Sequence, residues 1–242
     1  MNVIAIIPAR GGSKGIPGKN IKSLHSRPLI SYVISLAKQA EKRGLIREHI
    51  VSTDDKKIAL AAKRLGGNVP FLRPKKLAED FSQTINVVLH AVKWWEKQRK
   101  DKIHSVLLLQ PTSPLTTIED IDNALKIYFA YQPEAPCLIS VCKASYVRPQ
   151  TLYYEKGGYL TQLSKDNDSL KLRQATRKIY WRNGSIYITR RDLLLQRKRL
   201  VNAQPLFYEM PRFRSITIDD MFDWTIAEFL FSYHRKRKYA DF

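Results

Sequence analysis

Five apolar residues, Val3 to Ile7, run unbroken to Pro8, which is the pattern of a strand buried on both faces. Ile30, Val33, Ile34 and Ala37 then recur at i, i+3, i+4 and i+7, the stripe of a helix facing a core. The alternation continues: a strand at His49 to Ser52, a helical stripe of Ile58, Ala61, Ala62 and Leu65 halted by Gly66 and Gly67, and another of Ile85, Val88, Leu89, Val92 and Trp95. Ser105 to Leu109 reads as a third strand. Thr117 and Asp120 read as a variant capping box opening a helix with Ile118, Ile121, Leu125 and Tyr128 inward, and Pro136 to Val141 as a fourth strand. This order predicts an α/β domain with a mostly parallel sheet flanked by helices.

Between Ser145 and Lys171 the pattern changes. Tyr153, Tyr154 and Tyr159 flank Lys156-Gly157-Gly158, which predicts a two-strand β-hairpin inserted into the sheet order. Strands return at Gly184 to Ile188 and Ile216 to Ile218, and Asp220 to Tyr233 forms a last helix with Trp224, Ala227 and Phe231 inward. With no repeat and no Gly/Ser/Pro-rich linker, residues 1–242 read as one domain carrying an arm at 145–171.

Composition narrows the function classes. Cys137 and Cys142 supply neither a disulfide framework nor a four-ligand zinc site, and the apolar opening is far shorter than the ~20 residues that cross a bilayer. A cytoplasmic protein with no membrane attachment is expected. The formal charge of +20 implies strong attraction for phosphate-bearing partners without saying which. Residues 1–40 hold six basic side chains and no acidic one, residues 171–199 hold ten and one, and a third cluster, His234 to Lys238, reads as a solvated run after the last helix. Nucleic acid is not the expected partner, because no recognition helix, zinc finger or RNA-binding strand signature accompanies the charge.

Ligands of open α/β sheets bind outside the carboxyl ends of the strands. The loop after the first strand, Pro8-Ala9-Arg10-Gly11-Gly12-Ser13-Lys14-Gly15-Ile16-Pro17-Gly18-Lys19-Asn20, mixes glycines with cations, so that backbone N–H groups approach an anion that Arg and Lys neutralise. A polyphosphate is the natural guest. Neither the P-loop spacing nor the three-glycine dinucleotide fingerprint is present.

This loop, together with Val51-Ser52-Thr53-Asp54, Leu72-Arg73-Pro74, Leu109-Gln110-Pro111-Thr112-Ser113-Pro114-Leu115 and Asn183-Gly184-Ser185-Ile186-Tyr187, resembles the acylneuraminate cytidylyltransferases (CMP-sialic acid synthetases) in the same order over nearly the whole chain. The resemblance implies a Rossmann-like nucleotide-binding sheet and a dimerisation role for the arm. It also implies transfer of CMP from CTP to the anomeric hydroxyl of an acidic nine-carbon (nonulosonic) sugar, with Mg²⁺ and release of pyrophosphate. By the same resemblance Arg10, Gly11, Ser13, Lys19 and Asn20 bind the triphosphate, with Arg10 and Lys19 catalytic. Arg73 reaches the nucleotide, or else is a surface cation capping a strand. Ser113 lines the nucleotide side or stiffens the turn. Gln110, Arg173 and Tyr187 face the acceptor, although Arg173 could be one cation of a solvated face and Tyr187 a core strand residue. Asp54 is read as a helix cap.

Two positions depart from the family pattern. Trp181 stands where an Arg is expected, with Arg182 offset by one, which makes a legionaminic or pseudaminic acid a better candidate acceptor than sialic acid. Thr217 stands where the first of two aspartates is expected; strand geometry would put 217 and 219 on one face, leaving Asp219 as the catalytic and metal-binding carboxylate unless it caps the following helix. A cytidylyltransferase of sugar or polyol phosphates, using the cations of 171–199 for the acceptor phosphate, is the alternative within the same chemistry.

Overall fold

The computed structural model describes residues 2–79, 82–131, 134–144, 151–163 and 178–236. In chain order they form β1 (Val3–Pro8), the two-residue strands β2 (Ser23–Leu24) and β3 (Arg27–Pro28), α1 (Leu29–Lys42), β4 (Glu48–Ser52), α2 (Lys56–Arg64), α3 (Thr84–Arg99), β5 (Ser105–Leu109) and α4 (Ile118–Ala130). They continue with β6 (Cys137–Lys143), β7 (Tyr153–Lys156), β8 (Tyr159–Gln162), β9 (Tyr180–Arg190), α5 (Arg191–Leu195), β10 (Leu206–Glu209) and α6 (Met221–Lys236).

Six strands make the main sheet in the order β10-β6-β9-β5-β1-β4. β1 is parallel to β4 and β5 and β10 is parallel to β6, while β9 runs antiparallel to both its neighbours. The alternation along β1 shows why its residues are uniformly apolar. Val3, Ala5 and Ile7 pack into one core with α1, α2 and α4, whereas Ile4 and Ile6 pack into the other with α3 and Leu194 of α5. A strand covered on both faces has no polar side to present. A third cluster joins Ile16 of the basic loop to Leu24, Leu29, Ile218, Trp224 and Ala227, so α6 is packed against the far end of that loop.

The capping box at Thr117 and Asp120 forms as the sequence predicts. The inserted hairpin pairs Tyr153 with Gln162 and Lys156 with Tyr159. Gly157 and Gly158 have φ of 62° and 82°, the two positive values that a tight primed turn requires. Positions 145–150 and 164–171 of the expected arm lie outside the described residues.

Two expectations are corrected. Ile216 to Ile218 is not a strand: the chain there crosses the strand ends, held by Ile218 N–H donating to the Thr112 carbonyl (2.8 Å) and Thr217 Oγ1 donating to the Asn183 carbonyl (2.6 Å). Thr217 is therefore occupied by β9 and does not share a strand face with Asp219. The sixth strand is instead β10, unpredicted, whose Leu206 and Tyr208 pack on the core while Phe207 and Glu209 face out.

Candidate active site

At the carboxyl ends of β1 and β5 lies a cavity of about 480 Å³. Its walls bring together Arg10, Ser13, Lys19, Asn20, Arg73, Gln110 and Asp219, which come from four separate segments. The loop after β1 supplies the first four. Asn20, 5% exposed, donates from Nδ2 to the Arg10 carbonyl (2.9 Å) and so closes the loop on itself. Gly15 lies against the chain before α6: a Cβ there would collide with the carbonyl oxygen of Asp219, so only glycine permits this approach.

Lys19 is fixed from the opposite end of the sequence. Its Nζ donates to the Ile218 carbonyl (2.8 Å) and lies 3.8 Å from Asp219 Oδ1. Burial lowers its pKa from the ordinary lysine value; Asp219 opposes that shift and Arg10 adds to it. A lysine held this way presents a fixed, partly desolvated charge to an anion in the cavity.

Asp219 does not cap α6. Asp220 Oδ1 accepts from Phe222 N–H and Asp223 N–H (2.9 and 3.0 Å), and Asp223 Oδ2 accepts from Asp219 N–H and Asp220 N–H (2.9 and 3.2 Å). With the helix end satisfied by these two, the Asp219 carboxylate remains on the cavity wall with 78% of its side chain exposed.

Asp54 is also placed differently from the expectation. The cap of α2 is Asp55, whose Oδ1 accepts from Lys57 N–H (2.6 Å) and Ile58 N–H (3.0 Å). Asp54 Oδ1 instead accepts from Gly11 N–H (3.2 Å) and Arg73 Nη2 (3.1 Å), tying the basic loop to the arginine across the cavity. Arg73 is brought there by its own N–H, which donates to the Thr53 carbonyl (2.7 Å) beyond the end of β4. Burial lowers its pKa, against the pull of Asp54 and together with Arg10. Arg73 is 4% exposed, which sets aside the reading as a surface cation.

Gly11, Ser113 and Tyr187, also expected at the site, are not among the residues lining the cavity. Ser113 is buried in the turn behind the cavity wall. Tyr187 is in the core cluster with Ile85, Val106 and Leu108, and touches the solvent side through the Arg182 guanidinium, 5.6 Å from its ring centre. Arg173 lies outside the described residues. The sequence reading missed Ser82, Thr84 and Thr112, which also line the cavity. It also missed Asn183, whose side chain bonds Ser140 and Ser215 while its carbonyl holds Thr217, so it braces the segment that carries Asp219. The signal for Asn183 was present as an Asn-Gly within a strand run, a pair that reads as a turn until the bulge it forms is seen.

Three cavity-lining residues, Arg73, Ser82 and Thr112, hold buried polar atoms (Nε, Oγ and Oγ1) with no partner among the described residues. Buried polar groups are normally paired, so a cluster of orphans around one cavity marks a place shaped for a polar ligand. A cationic, glycine-rich loop and orphaned polar groups at the carboxyl edge of a mostly parallel sheet form a cradle for a nucleotide's phosphates, as a nucleotidyltransferase requires. The family described as cytidylyltransferase matches residues 4–234, and the chain belongs to it.

The chain is 35% identical over 231 residues to the CMP-N,N′-diacetyllegionaminic acid synthase of Legionella pneumophila, covering 94% of this chain and 95% of that one. It is 32% identical over 225 residues to the N-acylneuraminate cytidylyltransferase of Escherichia coli, covering 93% of this chain and 51% of that one. Among solved structures, a CMP:2-keto-3-deoxy-manno-octonic acid synthetase complexed with CTP has a TM-score of 0.69 at 18% identity, covering 97% of this chain and all of that one, a likeness of fold.

Proposed function

We propose that the chain transfers CMP from CTP to the anomeric hydroxyl of a nonulosonic acid of the legionaminic, pseudaminic or sialic type and releases pyrophosphate. The observation that carries this is the single cavity in which the Arg10–Asn20 loop, Arg73 and Gln110 converge; the relatives named for the same class of product support the acceptor. In the reaction the anomeric oxygen bonds to the α-phosphorus, the α–β bridging bond breaks, pyrophosphate leaves, and the hydroxyl proton passes to solvent. The chain's part is positioning and charge stabilisation, the terms that dominate such transfers. Arg10, Ser13, Lys19 and the loop amides hold the β- and γ-phosphates, Asn20 keeps the loop in shape around them, and Arg73 fixes the nucleoside side. Gln110, at the end of β5, orients the acceptor by its amide.

The donor set suits Mg²⁺ only as an ion that arrives with the nucleotide. No group of three or more His, Cys, Asp or Glu side chains could hold a metal among the described residues, and Thr217 is committed to Asn183. Mg²⁺ is commonly bound by one or two carboxylates with substrate phosphates and water, and Asp219 meets that requirement. When bound, the ion would neutralise charge on the departing pyrophosphate.

The hairpin of β7 and β8 leaves Tyr159 79% and Leu160 73% exposed on a two-stranded sheet. Such a ribbon is marginal by itself, which supports a homodimer in which it packs on a second copy. Two free, buried cysteines and a nucleotide substrate support a place in the cytoplasm. The test is pyrophosphate release from CTP with a panel of nonulosonic acids and sugar phosphates; turnover of phosphorylated acceptors alone would refute the acceptor assignment.

A further inference from the structure

A second cavity, of about 510 Å³, adjoins the first, and Thr84 lines both. Its walls are Gln83, Thr84 and Ile85 at the start of α3, Arg182 of β9, and the segment Lys198 to Ala203 that follows α5. Three cations, Arg182, Lys198 and Arg199, face one space with no acidic residue in its lining. None of the three has an acidic partner among the described residues.

The segment presenting the two later cations is held in place. Lys198 has a φ of 50°, a left-handed conformation that a lysine keeps only when its surroundings impose it. Arg199 N–H donates to the Leu193 carbonyl (3.2 Å), Thr189 Oγ1 donates to the Leu200 carbonyl (2.7 Å), and Asn202 N–H donates to Cys137 Sγ (3.3 Å). On the facing wall α3, a helix of 16 residues, starts at Thr84 with no side-chain cap from Gln83, so its first-turn amides add their positive end to the same space.

Chemistry selects the occupant. In a nonulosonic acid the C1 carboxylate is bonded to the anomeric carbon whose oxygen attacks the α-phosphorus. The carboxylate must therefore lie beside the nucleotide, at the junction of the two cavities. There it meets the repulsion of the triphosphate, whose own cations, Arg10, Lys19 and Arg73, are already engaged. A second anion needs a second set of cations. Trp181 pairs with Cys142 in the sheet, and the next residue, Arg182, reaches the second cavity over the Tyr187 ring.

We propose that Arg182, supported by Lys198, Arg199 and the uncapped start of α3, binds the carboxylate of the acceptor and determines its selection as a 2-keto acid sugar. The inference rests on the cytidylyl-transfer reading above. The test measures pyrophosphate release with N,N′-diacetyllegionaminic and N-acetylneuraminic acids and with their C1 methyl esters. It compares the wild type, Arg182→Gln, Arg182→Lys and the double variant Lys198→Gln/Arg199→Gln, with thermal melts to confirm folding.

Arg182→Gln should raise the acceptor KM by about ten- to hundredfold, the worth of a charge-assisted pair, with the KM for CTP unchanged. Arg182→Lys should recover part of the loss. With the methyl esters, wild type and Arg182→Gln should be equally poor. An acceptor KM unmoved by Arg182→Gln in an enzyme that does transfer CMP, or a loss equal on acid and ester, would overturn the carboxylate site and leave the transferase reading standing. Failure of the wild type to use any of the acids would overturn both.

Discussion

Asp54 offers the sharpest test of how the nucleotide site is held. Its Oδ1 is shared by Gly11 N–H and Arg73 Nη2, and the Arg73 side chain is 2% exposed against 17% for Asp54. Asp54→Ala strands a buried guanidinium whose Nε already lacks a partner, and it releases the loop amide as well. Breaking one side of a buried pair costs about 3–5 kcal/mol. Because the bonds are 3.1 and 3.2 Å and the carboxylate is not fully buried, the low end, about 3 kcal/mol, is expected. Asp54→Asn keeps an acceptor at Oδ1 and gives up only the charge, which halves the strength of each bond; about 1 kcal/mol should be lost. Urea unfolding of the ligand-free protein measures both. A purely structural role would stop there, so the second readout is the KM for CTP. If Asp54 aligns the loop with Arg73, the Asn variant should raise that KM several-fold at a stability loss too small to unfold the protein. Unchanged stability in the Ala variant, or unchanged KM in the Asn variant, would refute the reasoning.

Gly15→Ala should abolish CTP turnover by forcing the loop off Asp219, whereas Gly12→Ala, which meets no atom within 4 Å, should leave turnover within a few-fold of wild type; steady-state assays of the pair decide. Burial lowers the pKa of Lys19, so it loses its proton at a lower pH than an exposed lysine, and the KM for CTP should begin to rise below pH 10.5. The linkage has the opposite sign for folding: the unfolded chain binds the proton more tightly, so stability of the ligand-free protein should increase with pH through the same window. Lys19→Arg should remove the alkaline rise in KM because the guanidinium stays charged. Thr217→Asp should cost about 1–3 kcal/mol without strengthening Mg²⁺ dependence, since a carboxylate cannot donate to the Asn183 carbonyl; a gain in Mg²⁺ dependence would restore the strand-face picture. Tyr159→Asp/Leu160→Asp should convert the proposed dimer to a monomer in sedimentation analysis while leaving the melt of the main domain unchanged.

The readings that succeeded and those that failed differ in what fixes them. Val3 to Ile7 and Ser105 to Leu109 were legible because burial on both faces leaves a continuous apolar run, and the helical stripes were legible because one face of each helix meets a core. Leu206–Glu209 and Ile216 to Ile218 are both short and partly apolar, and which one joins the sheet depends on the edge of β6, a partner that no local pattern names. Asp54 and Asp55 are adjacent carboxylates before one helix. Composition allows either to be the cap; the extended backbone of Asp55, with φ of −99° and ψ of 125°, gives it the role and frees its neighbour to reach Gly11 and Arg73. The same division of labour recurs before α6, where Asp220 and Asp223 satisfy the helix end and Asp219 is left for the cavity. In both places a site carboxylate is available because a neighbouring one has taken the structural task, so removing the cap at Asp55 or Asp220 should disturb nucleotide binding by drawing Asp54 or Asp219 into its place. A sequence shows the pair of acids in each case, and only the backbone conformation shows which member is spare.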